Sequence, residues 1–263
     1  TISTNAAGAQ SVFATDVDGD GDMDVLSASY NYGKIAWYEN DGNESFTTHV
    51  IATNADLATS VFAADVDADG DMDVLSASSS DNKIAWYEND GNESFTTHVI
   101  TTNADRALSV FAADVDADGD MDVLSASKSD NKIAWYKNDG NGNFTTHVIT
   151  TNAGGASSVF AADVDADGDM DVLSASSDDK IAWYENDGSQ NFTTHVITTN
   201  ADGASSVFAA DVDGDGDMDM LSASWSDNKI AWYENDGNES FTTHVIATNA
   251  DNARSVFAAD GDG

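Results

Sequence analysis

Cysteine is absent from the 263 residues, which excludes a disulfide framework and any thiolate metal site and leaves the redox compartment open. Proline is absent too, so tight turns must be built from Gly, Asn and Asp, which tolerate positive φ or bond to their own backbone. Positive charge is scarce: 9 Lys and Arg stand against 48 Asp and Glu, a net charge of −39. Such a chain repels phosphates and anionic lipid, so nucleic-acid partners are excluded and a cation is the natural counterpart. No run approaches the roughly eighteen apolar residues of a membrane span, and no basic segment followed by an apolar run opens the chain. Membrane insertion is therefore not expected, and a soluble chain, mature or excised, is. What the sequence does have is 41% hydrophobic residues, enough for a real core.

The acid is concentrated in one motif. "DVDGDGDMD" at residues 16–24 recurs from Asp65, Asp114, Asp163 and Asp211, in steps of 49, 49, 49 and 48 residues. Residues 65–113 and 114–162 are identical at 42 of 49 positions, the mark of recent duplication or of design. Within each unit "SVFAAD", "MDVLSAS", "KIAWYEN" and "FTTHVI" are short runs rich in β-branched and aromatic residues, separated by Gly, Asn and Asp, and read as four strands. "NDG" at Asn40, Asp41 and Gly42 is a hairpin signal, so consecutive strands should pair antiparallel. Alternation puts Ile35 and Trp37 on one face and Ala36 and Tyr38 on the other, so each sheet needs cover on both sides.

These features predict an all-β fold: a β-propeller of five four-stranded antiparallel blades, the first strand of each innermost, where "FAAD" keeps a narrow channel open. One domain spans 1–263, with repeats at about 11–59, 60–108, 109–157, 158–205 and 206–254. "TIST" at residues 1–4 resembles the end of a fourth strand, and 255–260 is an extra copy of the first strand. Either is a candidate to complete the first blade, and the sequence leaves the closure open.

Asp16, Asp18, Asp20 and Asp24 occupy positions one, three, five and nine of a loop whose sixth residue is Gly21. That spacing suits Ca²⁺, a hard ion that takes six to eight oxygens at about 2.3–2.6 Å. Asp22, at position seven, offers its carbonyl. Position twelve is Ser27 instead of the Glu a helix-loop-helix calcium site needs, and the flanks are strand-like, so the loop belongs in the hairpin between first and second strands. The equivalent candidates are Asp65, Asp67, Asp69, Asp71 and Asp73; Asp114, Asp116, Asp118, Asp120 and Asp122; Asp163, Asp165, Asp167, Asp169 and Asp171; and Asp211, Asp213, Asp215, Asp217 and Asp219. About five calcium ions, one per blade, are expected, because "DGDG" at Asp260–Gly263 is too short for a sixth loop.

"DVDADGDMDVL" (Asp65–Leu75) followed by "KIAWYENDGNESF" (Lys83–Phe95) resembles the FG-GAP or VCBS repeat family, the calcium-bearing blades of integrin α-subunit heads, some fungal lectins and many bacterial surface proteins. The resemblance covers nearly the whole chain and implies a propeller with calcium in each first hairpin and a role in adhesion or glycan binding. One departure is that the phenylalanine of "SVFAAD" is not followed by glycine.

The repeats differ mainly in the links between strands two and three and between strand four and the next strand one, which in an up-and-down blade share one face. The symmetry-breaking residues there, Tyr30, Tyr32, Arg106, Lys128, Trp225 and Arg254, are candidate ligand-binding residues: aromatics to stack on sugar rings, Arg to hold a carboxylate. The five histidines repeat at one strand position and read as structural, as do the tryptophans of "AWY". Catalysis normally needs distinct ionisable groups in one asymmetric pocket, and here they come in equivalent copies, so no catalytic residues are assigned. The expected function is a secreted or surface binding module for glycans or other cell-surface ligands. The alternatives are a propeller-type polysaccharide-degrading enzyme and a ligand-free structural or engineered scaffold. Oligomeric state is not legible.

Overall fold

In a computed structural model that describes residues 1–43 and 45–259, each repeat folds into its own four-stranded sheet. The first blade holds β1 (Ala9–Thr15), β2 (Asp24–Ser29), β3 (Lys34–Asn40) and β4 (Phe46–Ala52). The second has β5 (Ala58–Ala64), β6 (Asp73–Ser78), β7 (Lys83–Asn89) and β8 (Phe95–Thr101). The third has β9 (Ala107–Ala113), β10 (Asp122–Ser127), β11 (Lys132–Asn138) and β12 (Phe144–Thr150). The fourth has β13 (Ala156–Ala162), β14 (Asp171–Ser176), β15 (Lys180–Asn186) and β16 (Phe192–Thr198). The fifth has β17 (Ala204–Ala210), β18 (Asp219–Ser224), β19 (Lys229–Asn235) and β20 (Phe241–Ala247). Every sheet runs in chain order with antiparallel neighbours, as the hairpin chemistry requires.

The core lies between blades rather than within them, because both faces of each sheet are apolar. Leu26, Ile35 and Trp37 of the first blade pack on Ala58, Val61, Val74 and Tyr87 of the second, and the pattern repeats down the row. Each buried tryptophan is covered by the strand-four histidine of its own sheet, Trp37 on His49 at 4.4 Å, and meets the phenylalanine of the next edge-on, Trp37 with Phe95 at 6.4 Å. The repeated His and Trp are thus packing residues.

First strands are innermost: β1 meets β5, β5 meets β9, β9 meets β13 and β13 meets β17. Their phenylalanines form one continuous stack, Phe13, Phe62, Phe111, Phe160, Phe208 and Phe257, at 4.6–4.8 Å between neighbours. A serine of each first strand accepts the N–H of a valine in the next, as Ser11 does from Val61 at 3.3 Å.

Among the described residues the row is open: no extensive contact joins β17 back to β1. Val12 is accordingly 68% exposed, whereas its equivalents Val61, Val110, Val159 and Val207 are each 4% exposed. The two expected terminal strands also differ from expectation. Residues 1–4 form no strand, and 255–259 occupy the first-strand place, with Phe257 on Phe208 and Val256 donating to Ser206, but make no ladder among the described residues. Asp260 and the "DGDG" segment lie outside the described residues.

Candidate metal centre and axial mouth

Each acidic loop joins strand one to strand two of its blade. Its sixth residue takes φ near +100°, 97° at Gly70 and 101° at Gly216, a region closed to side chains that carry a Cβ, so glycine is required there. The resulting turn lets position one fold back: Asp65 Oδ2 accepts the Gly70 N–H at 3.1 Å, and the other four loops repeat the bond.

Positions one, three and nine are brought together. Asp16, Asp18 and Asp24 each place a carboxylate oxygen within 4.8 Å of the others, and so do Asp65, Asp67 and Asp73; Asp114, Asp116 and Asp122; Asp163, Asp165 and Asp171; and Asp211, Asp213 and Asp219. That span is about twice a Ca²⁺–oxygen distance. Positions five and seven are not part of the trio. The position-five carboxylate accepts the N–H two residues on, Asp20 from Asp22 at 2.8 Å, and the position-seven carboxylate lies beside the glycine of the same blade's β3–β4-type turn, Asp22 at Gly42.

Position nine is a hub. Asp73 is fully buried; its Oδ2 accepts Val66 N–H at 3.0 Å and its Oδ1 accepts Asn89 N–H at 2.7 Å. Asn89 Nδ2 in turn donates to Met72 O in its own loop and to Val17 O in the preceding blade's loop, both at 3.2 Å. Asn138, Asn186 and Asn235 repeat this staple onto Val66, Val115 and Val164. Every loop except the fifth is therefore tied to the blade that follows it.

Two observations show that the donors fit a hard cation. Asp65 Oδ1, Asp116 Oδ1 and Asp163 Oδ1 are buried without a hydrogen-bond partner, a costly state for a carboxylate oxygen. Burial also pushes Asp73, Asp122 and Asp171 up to about 6, against the lowering effect of their N–H donors. Asp18, Asp67 and Asp165 are raised as well, by burial first and by neighbouring carboxylates. Because the folded form of these groups holds its proton more tightly than the unfolded chain, metal-free stability should fall as pH rises from about 4 to about 6 and then level off. Calcium affinity should rise over the same window, since ligands must ionise. Melts in chelator and in calcium at pH 4.5 and 7 check both slopes.

The third loop is different, and its departure was visible in the repeats as "AWYKN" for "AWYEN". Lys137 hydrogen-bonds Asp116 and lies 3.1 Å from Asp118. Burial acts upward on Asp118, but the Asp120 N–H and Lys137 outweigh it and lower its pKa.

On the opposite face the two sets of variable links do lie side by side: Lys128 N–H donates to Arg106 O, Trp225 N–H to Gly203 O, and Tyr30 N–H to Gly8 O. Lys128, Trp225 and Arg254 line one cavity of about 490 Å³, around whose rim stand Gln10, Thr59, Leu108, Ser157 and Ser205, the second residue of each first strand. The row therefore curves about an axis through this mouth. Arg254 sits 6.0 Å from the centre of the Trp225 ring. Tyr30, Tyr32 and Arg106 do not line this cavity. The rim residues were missed at the sequence level, although four different side chains at one repeat position were a signal.

Innermost first strands, interblade cores and an acidic first hairpin define a class of repetitive β-blades with one acidic loop each. The chain belongs to the FG-GAP-like repeat family, whose pattern matches residues 16–76, 65–125, 114–174 and 163–222. No curated protein matches the chain. Similar solved structures include an Agrocybe aegerita lectin that recognises non-reducing terminal N-acetylglucosamine, with 19% identity and a TM-score of 0.65 over 91% of this chain and 66% of that one. The SapL1 lectin, solved with α-methyl fucoside, gives 18% and 0.59 over 90% and 79%. The V. cholerae biofilm matrix protein Bap1 gives 17% and 0.58 over 95% and 41%. The chain thus spans under two thirds of the Agrocybe lectin and less than half of Bap1, and at these identities the likeness is one of fold.

Proposed function

We propose that the chain is a non-catalytic, calcium-braced propeller module that binds carbohydrate outside the cell, secreted or at a surface. The observation that carries this reading is the fivefold recurrence of a carboxylate trio, in four loops stapled to the blade that follows. Asp at positions one, three and nine would hold calcium, and the ion would neutralise charge that otherwise pushes loop and blade apart. The lectin neighbours support the carbohydrate class, and the axial mouth is the asymmetric surface on which to place it: Trp225 offers a ring face to a sugar, while Lys128 and Arg254 offer donors to its oxygens. No helix among the described residues is long and apolar enough to cross a membrane.

A glycan array run in calcium tests this. At least one carbohydrate class is expected to bind, and Trp225→Ala or Arg254→Ala should weaken it by about tenfold or more while leaving the melting midpoint unchanged. An array with no binder would remove the carbohydrate reading, and shortening of an acidic polysaccharide would replace it with an enzymatic one.

A further inference from the structure

We propose that in the third blade the ammonium of Lys137 takes the place that a divalent cation takes in the other four, so that the chain holds four calcium ions instead of five. The inference rests on the calcium reading above and sharpens it. Lys137 stands where the other blades carry Glu39, Glu88, Glu185 and Glu234. Those glutamates turn to the strand-four histidine of their own sheet, at 2.6–2.7 Å. The lysine turns the other way, into the acidic loop, where it bonds Asp116 and approaches Asp118.

Asp116 is a member of the third trio, and the carboxylate oxygen that receives Lys137 also accepts Gln190 Nε2 from the next blade at 3.1 Å. Both contacts fall on Asp116 Oδ2, so an incoming cation would be left with Oδ1, which has no hydrogen-bond partner, and would settle beside a resident positive charge. Replacing Glu by Lys also changes the local charge by two units, and calcium affinity in such loops follows the charge of the ligand set. The other four loops have no Lys or Arg paired with their trios among the described residues. The third loop is thus partly neutralised by its own chain and stays braced when metal is withdrawn, at the centre of the five-blade row.

Calorimetric titration of the whole chain with calcium, beside Lys137→Glu, tests this. The wild type should bind four ions and the variant five, with a third site at least about tenfold weaker in the wild type than its four neighbours. The variant should also melt lower than the wild type in chelator and recover in calcium. If it fails to fold without metal, Lys137→Gln, which removes the charge without adding another, should show the fifth ion. Five equivalent ions in the wild type would overturn the inference. So would four in both proteins, which would place the defect elsewhere in the loop. No binding by either would overturn the calcium reading itself and this inference with it.

Discussion

Excess chelator is expected to lower the thermal midpoint of the chain by roughly 12–24 °C. At a dissociation constant of ~0.1 mM, ~1 mM calcium contributes roughly 1.4 kcal/mol per site. Four sites give about 6 kcal/mol, comparable to the whole stability of an ordinary domain. For a chain of this size each kcal/mol moves the midpoint by about 2–4 °C. The loss should exceed a sum of independent loops, because the Asn89, Asn138, Asn186 and Asn235 staples couple the first four loops to the next blade. Sodium chloride should restore part of the loss by screening a net charge of −39. Magnesium should restore less than calcium, since it demands a compact octahedron and keeps several waters. Calorimetry across the three salts separates specific coordination from screening.

The second large effect separates a ligand from a hub within one loop. Asp73→Ala leaves the buried N–H groups of Val66 and Asn89 without an acceptor and should cost about 2–4 kcal/mol even in chelator, and about 1–2 kcal/mol more in calcium, where it also removes a ligand. Asp67→Ala removes a carboxylate from the same trio, but one that holds only the Asp69 N–H of its own loop, at 3.3 Å. It should cost about 1–2 kcal/mol in calcium and close to nothing in chelator, because there it also relieves repulsion. Urea unfolding of both variants in both conditions gives the four values. Equal cost for the two variants in chelator would remove the hub role assigned to position nine.

Much of this architecture is legible from periodicity alone. Repeats of 48 or 49 residues, period-two alternation and "NDG" place four strands per blade with the first innermost, because each step depends on neighbours in sequence. The trio is legible for the same reason: positions one, three and nine converge once Gly at position six sets the turn. Positions five and seven do not join the trio: Asp20 holds an N–H of its own loop and Asp22 lies beside Gly42. The staple from Asn89 to Val17 spans 72 residues, and Lys137 reaches Asp116 across 21, so neither follows from local pattern. The same holds at the end of the row, where a strand-like sequence at 255–259 makes no ladder among the described residues.

A crystal of the whole chain grown in ample calcium, with an anomalous difference map recorded to locate the ion, tests the central claim most directly. Strong peaks are expected among Asp16, Asp18 and Asp24; Asp65, Asp67 and Asp73; Asp163, Asp165 and Asp171; and Asp211, Asp213 and Asp219, each about 2.3–2.6 Å from its oxygens. Hairpins that hold only water in such a crystal would contradict it.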